Sequence, residues 1–355
     1  MSAAPRIPVH VLTGFLGSGK TTLLNRLLRD PGLADTAVIV NEFGEIGLDH
    51  LLVTGGRDNV LLLESGCLCC TLLDSLRETL ADLYHRRARG ELPPFRRVVV
   101  ETTGLADPAP ILLTLLRDPV ATAWFALGRV VVTLDAVHGA DQLQDYPEAR
   151  AQLAAADLVV FSKTDLAGGV APSELTQEVA ATNAAALLVD GAGATGELRD
   201  RIFGAAAGDL RGTARGAAAH EHAHEHRHSR DVYSLSVEFA PPASWAGLAA
   251  WTTLARAAFG KRLLRCKGII WIEETGAPVV VQGVQTLFSK PAPIDPAELP
   301  DRLSRLVCIA DGIAPESLRR SLRALAIVAG SHPPASLADL DEVPDRLRPA
   351  ISCTA

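Results

Sequence analysis

Eight residues near the start of the chain, Gly14-Phe-Leu-Gly-Ser-Gly19-Lys20-Thr21, constrain the fold more than anything else in the sequence. They match G-x-x-x-x-G-K-[ST], following an apolar run at 7–12 and preceding a helical pattern at 21–29. Strand, glycine-rich loop and helix start in that order make a phosphate cradle. Glycines let the backbone wrap close with its N–H groups inward, and the helix N-terminus adds positive potential. Gly14, Gly17, Ser18, Gly19, Lys20, Thr21 and Thr22 are therefore the expected phosphate-binding residues. Lys20 is expected at the β- and γ-phosphates, and the Thr21 hydroxyl on magnesium. A chance glycine-rich turn would not need this context.

The rest of the first half repeats the alternation. Short β-branched runs recur at 38–40, 60–63, 98–100, 130–134 and 158–161, separated by helical patterns at 71–87, 108–116 and 173–182. Such alternation predicts an α/β P-loop NTPase domain with a mainly parallel sheet. Asp107-Pro108 reads as a helix start. Residues 204–231, rich in Gly, Ala, Arg and His, read as a linker. Strand-like runs at 233–238, 268–272, 278–284 and 306–309, with helix-like runs at 244–258 and 315–325, predict a smaller C-terminal α+β domain. The expected division is 1–203, linker 204–231, second domain 232–330 and an unassigned tail 331–355.

A phosphate loop needs a carboxylate near magnesium and a contact for the γ-phosphate. Val98-Val-Val-Glu101-Thr-Thr-Gly104 offers both: Glu101 ends an apolar run, and the Gly104 N–H is free to meet the γ-phosphate and move on hydrolysis. The structural alternative is a buried strand that ends at a charge. Lys20, Thr21, Glu101 and Gly104 are thus the expected catalytic set. Ser162-Lys163-Thr-Asp165 follows an apolar run and nearly matches N-K-x-D. Asp165 would accept from guanine N1–H and the exocyclic amine, where adenine has no donor, and Lys163 would pack along the base. Ser162 replaces the usual asparagine with a shorter side chain. A charged surface turn is the alternative.

Glu64-Ser-Gly66-Cys67-Leu-Cys69-Cys70 places three of the six cysteines within four residues. Thiolates select zinc, copper(I) and similar ions. A closed structural zinc site takes four ligands, so the cluster reads as an open shell suited to handing an ion on. A structural site completed from elsewhere and a redox cluster are the alternatives. Cys266, Cys308 and Cys353 are scattered, and the first two sit in apolar runs expected in the core. Asn41-Glu42-Phe-Gly-Glu-Ile-Gly-Leu-Asp49 follows another predicted strand, so Glu42 or Asp49 is expected in a switch loop between nucleotide and metal; a solvated loop is the alternative. His220, His222, His224, His226 and His228 alternate through the linker and read as a metal-collecting tract or as a solvated low-complexity segment.

The formal charge of −7 over 355 residues argues against nucleic acid as a partner. Clustered cysteines fit a reducing, cytoplasmic setting better than a secreted disulfide framework. No secretory signal, membrane span or C-terminal prenylation box is read from the sequence.

Together these motifs resemble the CobW-like GTPases, relatives of the nickel-insertion GTPases of urease and hydrogenase. The resemblance rests on 14–22, Asn41-Glu-Phe-Gly-Glu45, Gly66-Cys-Leu-Cys-Cys70, Glu101-Thr-Thr-Gly-Leu-Ala-Asp-Pro108, Ser162-Lys-Thr-Asp165 and, in the second half, Leu264-Arg-Cys-Lys-Gly-Ile-Ile-Trp271. It covers roughly 6–326; Ser162 and Ala184 depart from the family pattern. It implies GTP and magnesium as ligands, hydrolysis to GDP and phosphate, and delivery of zinc, or less often cobalt, to a client metalloprotein. Cys67, Cys69, Cys70 and Glu42 are the implied metal residues, with Thr21 for magnesium. Leu105 stands where Ras-like GTPases carry a water-orienting glutamine, so slow intrinsic turnover is expected. Other readings stay open: a cobalt-handling GTPase in cobalamin biosynthesis, a metalloenzyme activator of the same family, a P-loop kinase with structural zinc and a passive zinc buffer; the oligomeric state stays open too, a homodimer among the options.

Overall fold

The computed structural model describes residues 6–40, 61–64, 72–204, 232–299, 301–328, 330, 334 and 336–342. Two compact units emerge, one built from Met1–Val179 with Ala186–Gly204, the other from Ala180–Ala185 with Ala205–Ala355.

The first unit is a seven-stranded sheet. Its strands are β1 (Ile7–Gly14), β2 (Thr36–Val40), β3 (Leu61–Glu64), β4 (Arg97–Glu101), β5 (Phe125–Asp135), β6 (Leu158–Ser162) and β7 (Leu187–Asp190). They lie in the order β3-β2-β4-β1-β5-β6-β7, with every pairing parallel. The helices are α1 (Lys20–Leu28), α2 (Leu72–Ala88), α3 (Ala109–Arg117), α4 (Pro119–Trp124), α5 (Gly139–Asp145), α6 (Pro147–Ala155), α7 (Ser173–Thr182) and α8 (Thr195–Phe203). A parallel sheet covered on both faces shows near-continuous apolar strands. On β6, Leu158 and Val160 pack into the cluster containing Leu24, Leu27 and Leu198. Val159 and Phe161, pointing the other way, join Phe15, Leu153 and Leu175. The period of two thus divides one run between two cores.

Each strand expected in this unit is present; β3 is shifted one residue later than expected, and the others are extended by a residue or more. No helix was expected at 119–124 or 139–155, yet these stretches hold α4, α5 and α6; Asp118 caps α4 by accepting from Val120 N and Ala121 N. The start of α3 lies one residue later than expected, and Asp107 Oδ1 accepts from Ala109 N at 2.9 Å.

The second unit has a sheet of β8 (Val232–Phe239), β9 (Leu263–Ile272), β10 (Ala277–Val284), β11 (Leu287–Phe288), β12 (Ala292–Pro293) and β13 (Ser304–Asp311). The order is β11-β10-β9-β13-β8, with β12 on β10, all antiparallel. Helices α9 (Trp245–Phe259) and α10 (Pro315–Ser321) accompany it. Trp251, Leu254 and Phe259 of α9 bury against Leu235, Cys266, Ile270 and Cys308 of the sheet. Ser244 caps α9, accepting from Gly247 N at 2.9 Å. Leu340, in a stretch unassigned from sequence, is fully buried in this core.

Candidate functional site

The site gathers at the carboxyl ends of the parallel strands, where a doubly wound sheet leaves its crevice. Register fixes the main neighbours. Leu12 of β1 pairs with Glu101 of β4, and Gly14 pairs with Thr133 of β5. At Gly14 φ is +144°, and a Cβ there would lie 2.4 Å from Thr133 Oγ1 and 2.5 Å from its carbonyl oxygen. Any side chain would push the loop off the sheet, so glycine is required by close approach as well as by φ. Gly17 and Gly19 also have positive φ. Ser18 is buried with its Oγ 2.7 Å from Thr133 Oγ1, which ties the loop to β5.

Lys20 opens α1, and its Nζ donates to Gly14 O at 2.9 Å and Phe15 O at 3.2 Å. The ammonium is therefore held over the loop that the motif predicts will cradle phosphate. Thr21 Oγ1 donates to Glu101 Oε1 at 2.7 Å, across 80 residues of sequence. Glu101 is 4 % exposed. A hydroxyl and a carboxylate oxygen side by side are the hard oxygen donors that magnesium takes. Thr22, the last residue of the motif, is exposed. Thr102 is tied to β1 twice, by N–H to Leu12 O at 2.9 Å and Oγ1 to Thr13 Oγ1 at 2.7 Å. Gly104 follows, packed so closely on the loop that a Cβ would sit 2.7 Å from Leu16 N and Cα.

The Ser162–Asp165 segment leaves β6 beside the loop, with Ser162 Cβ 3.4 Å from where a Cβ on Gly19 would lie. Ser162 Oγ donates to Leu134 O at 3.4 Å. Lys163 has φ +56°, unusual for a residue with a side chain. Its ammonium donates to Asp135 Oδ2 at 2.5 Å, which holds that conformation. Burial pushes the Asp135 carboxyl up, but the bond from Lys163 and those from the Val137 and His138 amides outweigh it and keep it below the usual range. Thr164 Oγ1 donates to Asp190 Oδ1 at 2.8 Å. Asp165 is exposed, and its carboxylate carries no hydrogen bond among the described residues.

Two groups here were not singled out from sequence. Asp135 ends an apolar run just as Glu101 does, so the same signal was present. Geometry separates them, because Glu101 meets Thr21 and Asp135 meets Lys163. Arg26 gave no signal at all. Its guanidinium donates to Gly191 O and Gly193 O, and its Nε to Thr195 Oγ1 at 3.1 Å, pinning the loop after β7 against α1.

Glu42, Asp49, Cys67, Cys69, Cys70, the histidines of 220–228 and Cys353 lie outside the described residues. The strands that lead to them do not. Val40 pairs with Glu101 on one side and Glu64 on the other, so β2 and β3 end level with the Thr21–Glu101 pair. Glu42 is two residues beyond β2, and Cys67 three beyond β3. Among the described residues no group of three metal-ligating side chains occurs. Cys266 and Cys308 are free thiols 1 % exposed, facing each other across β9 and β13 with Sγ 3.8 Å apart.

The family model of the CobW/HypB/UreG nucleotide-binding domain matches residues 8–190. The chain belongs to that family. Its second half matches the cobalamin synthesis protein CobW C-terminal domain over residues 232–326. The chain is similar to the zinc chaperone YjiA of Escherichia coli, 32 % identical over 283 residues that cover 80 % of this chain and 87 % of YjiA. It is also 32 % identical over 191 residues to zinc-regulated GTPase metalloprotein activator 1 of Schizosaccharomyces pombe, covering 52 % of this chain and 45 % of that protein. The crystal structure of Zn(II)-bound YjiA GTPase from E. coli superposes with a TM-score of 0.63 at 28 % identity, covering 90 % of this chain and 99 % of that one. The CobW-like resemblance and the two-part α/β and α+β architecture drawn from sequence both hold.

Proposed function

We propose that this chain is a GTP-hydrolysing zinc chaperone. It binds GTP with magnesium, hydrolyses it with water to GDP and phosphate, and passes zinc held by Cys67, Cys69 and Cys70 to a client metalloprotein. The observation that carries this reading is the 2.7 Å contact of Thr21 with Glu101 at the same sheet edge from which β2 and β3 run toward Glu42 and Cys67. Relatives named as zinc chaperones and as a zinc-regulated GTPase support it.

Each side chain has a task in this scheme. The loop amides from Gly14 to Thr22 and the Lys20 ammonium neutralise the phosphates. Thr21 and Glu101 hold magnesium, which when bound spreads the charge that develops on the leaving phosphate. Gly104 offers its N–H to the γ-phosphate. Ser162 borders the base, Lys163 packs along it with its ammonium fixed by Asp135, and the open Asp165 carboxylate reads guanine. Zinc is cargo: thiolates grip it while GTP orders the loop of Glu42, and hydrolysis relaxes that loop and releases the ion. The reducing cytoplasm suits such thiols. Among the described residues no helix is long and apolar enough to cross a membrane.

The test is competition for zinc between the full-length chain and a chromophoric chelator, with magnesium and either GDP or a non-hydrolysable GTP analogue. The triphosphate form should bind zinc at least about tenfold more tightly, a coupling of ordinary allosteric size. Replacing Cys67, Cys69 and Cys70 with serine should remove that binding. Equal affinity in both nucleotide states would sink the switch, and stronger retention of cobalt than of zinc would shift the cargo.

A further inference from the structure

Gln152 is a buried amide on α6 that the scheme above leaves without a task. It is 1 % exposed, and its Nε2 donates to Gly104 O and to Ala106 O, both at 3.1 Å. Both protons of one NH2 group therefore serve a single turn. A reversed amide would set Oε1 against two carbonyls, so the network fixes its orientation. Oε1 is buried and accepts no hydrogen bond among the described residues. Its desolvation is a penalty that an apolar side chain of the same size would avoid.

The surroundings show what the amide controls. Upstream, Thr102 is anchored to β1 by two hydrogen bonds. Downstream, Asp107 Oδ1 accepts from Ala109 N at 2.9 Å at the start of α3. Between these anchors the turn's own bonds, Ala106 N to Thr103 O and Thr102 Oγ1 to Thr103 O, both at 3.2 Å, converge on the Thr103 carbonyl and leave those of Gly104 and Ala106 to Gln152. On its other side Gly104 is already in contact distance of Leu16. The orientation of the peptide planes from 104 to 106 thus depends on Gln152. The same helix is seated on the phosphate loop, because the ring of Tyr146, its N-cap, lies 4.5 Å from that of Phe15.

We infer that Gln152 is a positioning residue for GTP hydrolysis, which holds the Gly104 turn in the orientation that meets the γ-phosphate and so favours the triphosphate over the diphosphate. This rests on the proposed role of Gly104. A loss of position at a reacting group costs rate steeply, whereas GDP has no γ-phosphate for the turn to meet.

The experiment compares the native chain with Q152M, Q152E and G104A, all full length. It measures kcat and KM for GTP, the magnesium-dependent affinities for GDP and a non-hydrolysable GTP analogue, and the melting temperature. Q152M keeps the volume and removes the donors; Q152E keeps the shape and sets a carboxylate oxygen against the two carbonyls. Both should lower kcat about tenfold and weaken the GTP analogue at least fivefold, with GDP affinity within twofold of native. If both nucleotides weaken equally in a folded variant, or neither does and kcat holds, the inference is overturned. G104A separates the two levels. If it leaves kcat and the nucleotide ratio intact, the γ-phosphate role of Gly104 fails; if it impairs them while both Gln152 variants do not, only the inference about Gln152 fails.

Discussion

The two sheets of this protein bury polar groups for different ends. In the parallel sheet, Thr13, Ser18, Lys20, Glu101, Thr102, Thr133 and Asp135 are all buried, and all lie at or just beyond the carboxyl ends of β1, β4 and β5. Their partners come from distant segments: Ser18 meets Thr133, Thr21 meets Glu101, and Lys163 meets Asp135. In the antiparallel sheet, buried polar groups mostly hold elements together. Ser244 caps α9 and donates to Ile327 O, and Trp251 Nε1 donates to Ser321 Oγ at 3.3 Å. Even its two thiols are packed among Leu235, Trp251 and Ile270. Burial pushes the Cys266 thiol well up, away from the thiolate a metal needs. Buried polarity thus converges at one end of the first sheet, whereas in the second it is dispersed through the packing.

The sharpest way to test that contrast is at Asp165. Two hydrogen bonds to a charged acceptor, at about 1.5–3 kcal/mol each, are lost in Asp165→Ala, so GTP affinity should fall by roughly 10²–10⁴-fold. Titration of a fluorescent GTP derivative checks this; an unchanged affinity would remove base reading from the parallel sheet. In the second unit the comparable injury is Trp251→Ala, in a side chain 0 % exposed. It should cost about 3–5 kcal/mol of stability, read by denaturant unfolding. Damage to folding, and not directly to phosphate binding, is what a scaffold predicts.

A pH series sharpens the comparison inside the first unit. His10, near the start of β1 and away from the site, has its pKa lowered from 6.5 to about 3, first by burial and then by Arg129 and Arg97. The folded form resists protonation that the unfolded chain accepts, so this contribution is present above pH 6.5 and is lost as pH falls. The expected slope is about 1.4 kcal/mol per pH unit between those values. Denaturation of the native chain and of His10→Asn over pH 7 to 5 checks it, and equal slopes would refute it. The smallest effect is expected at the buried thiols. Cys266→Ala combined with Cys308→Ala should leave the zinc bound per chain unchanged, measured by atomic absorption after dialysis. Loss of zinc would make the second unit part of the metal chemistry and erase the contrast.

Legibility in the sequence followed how local each feature is. The strand before Gly14 and the helix after Lys20 are contiguous, and a few residues carry the whole phosphate loop. The strand runs were legible because a doubly covered strand is apolar throughout. Helices α5 and α6 were not, since Gly139–Asp145 is short and Pro147–Ala155 is rich in alanine and weakly patterned. Strand β7 has every second residue exposed, so Leu187–Asp190 offers only two half-buried apolar positions. Gln152 and Arg26 carry ordinary helix-surface identities, and nothing local distinguishes them from solvent-facing residues.

By itself the sequence determined the motifs: a phosphate loop, a carboxylate at the end of an apolar strand, an aspartate in a near match to N-K-x-D, and a thiol cluster. Those are properties of neighbours along the chain. Which carboxylate stands by Thr21, which one fixes Lys163, and what holds the Gly104 turn were decided only by tertiary structure. The physical reason is the order of the parallel strands: it sets β4 and β5 on either side of β1, so residues about 90 to 120 positions apart meet across single hydrogen bonds.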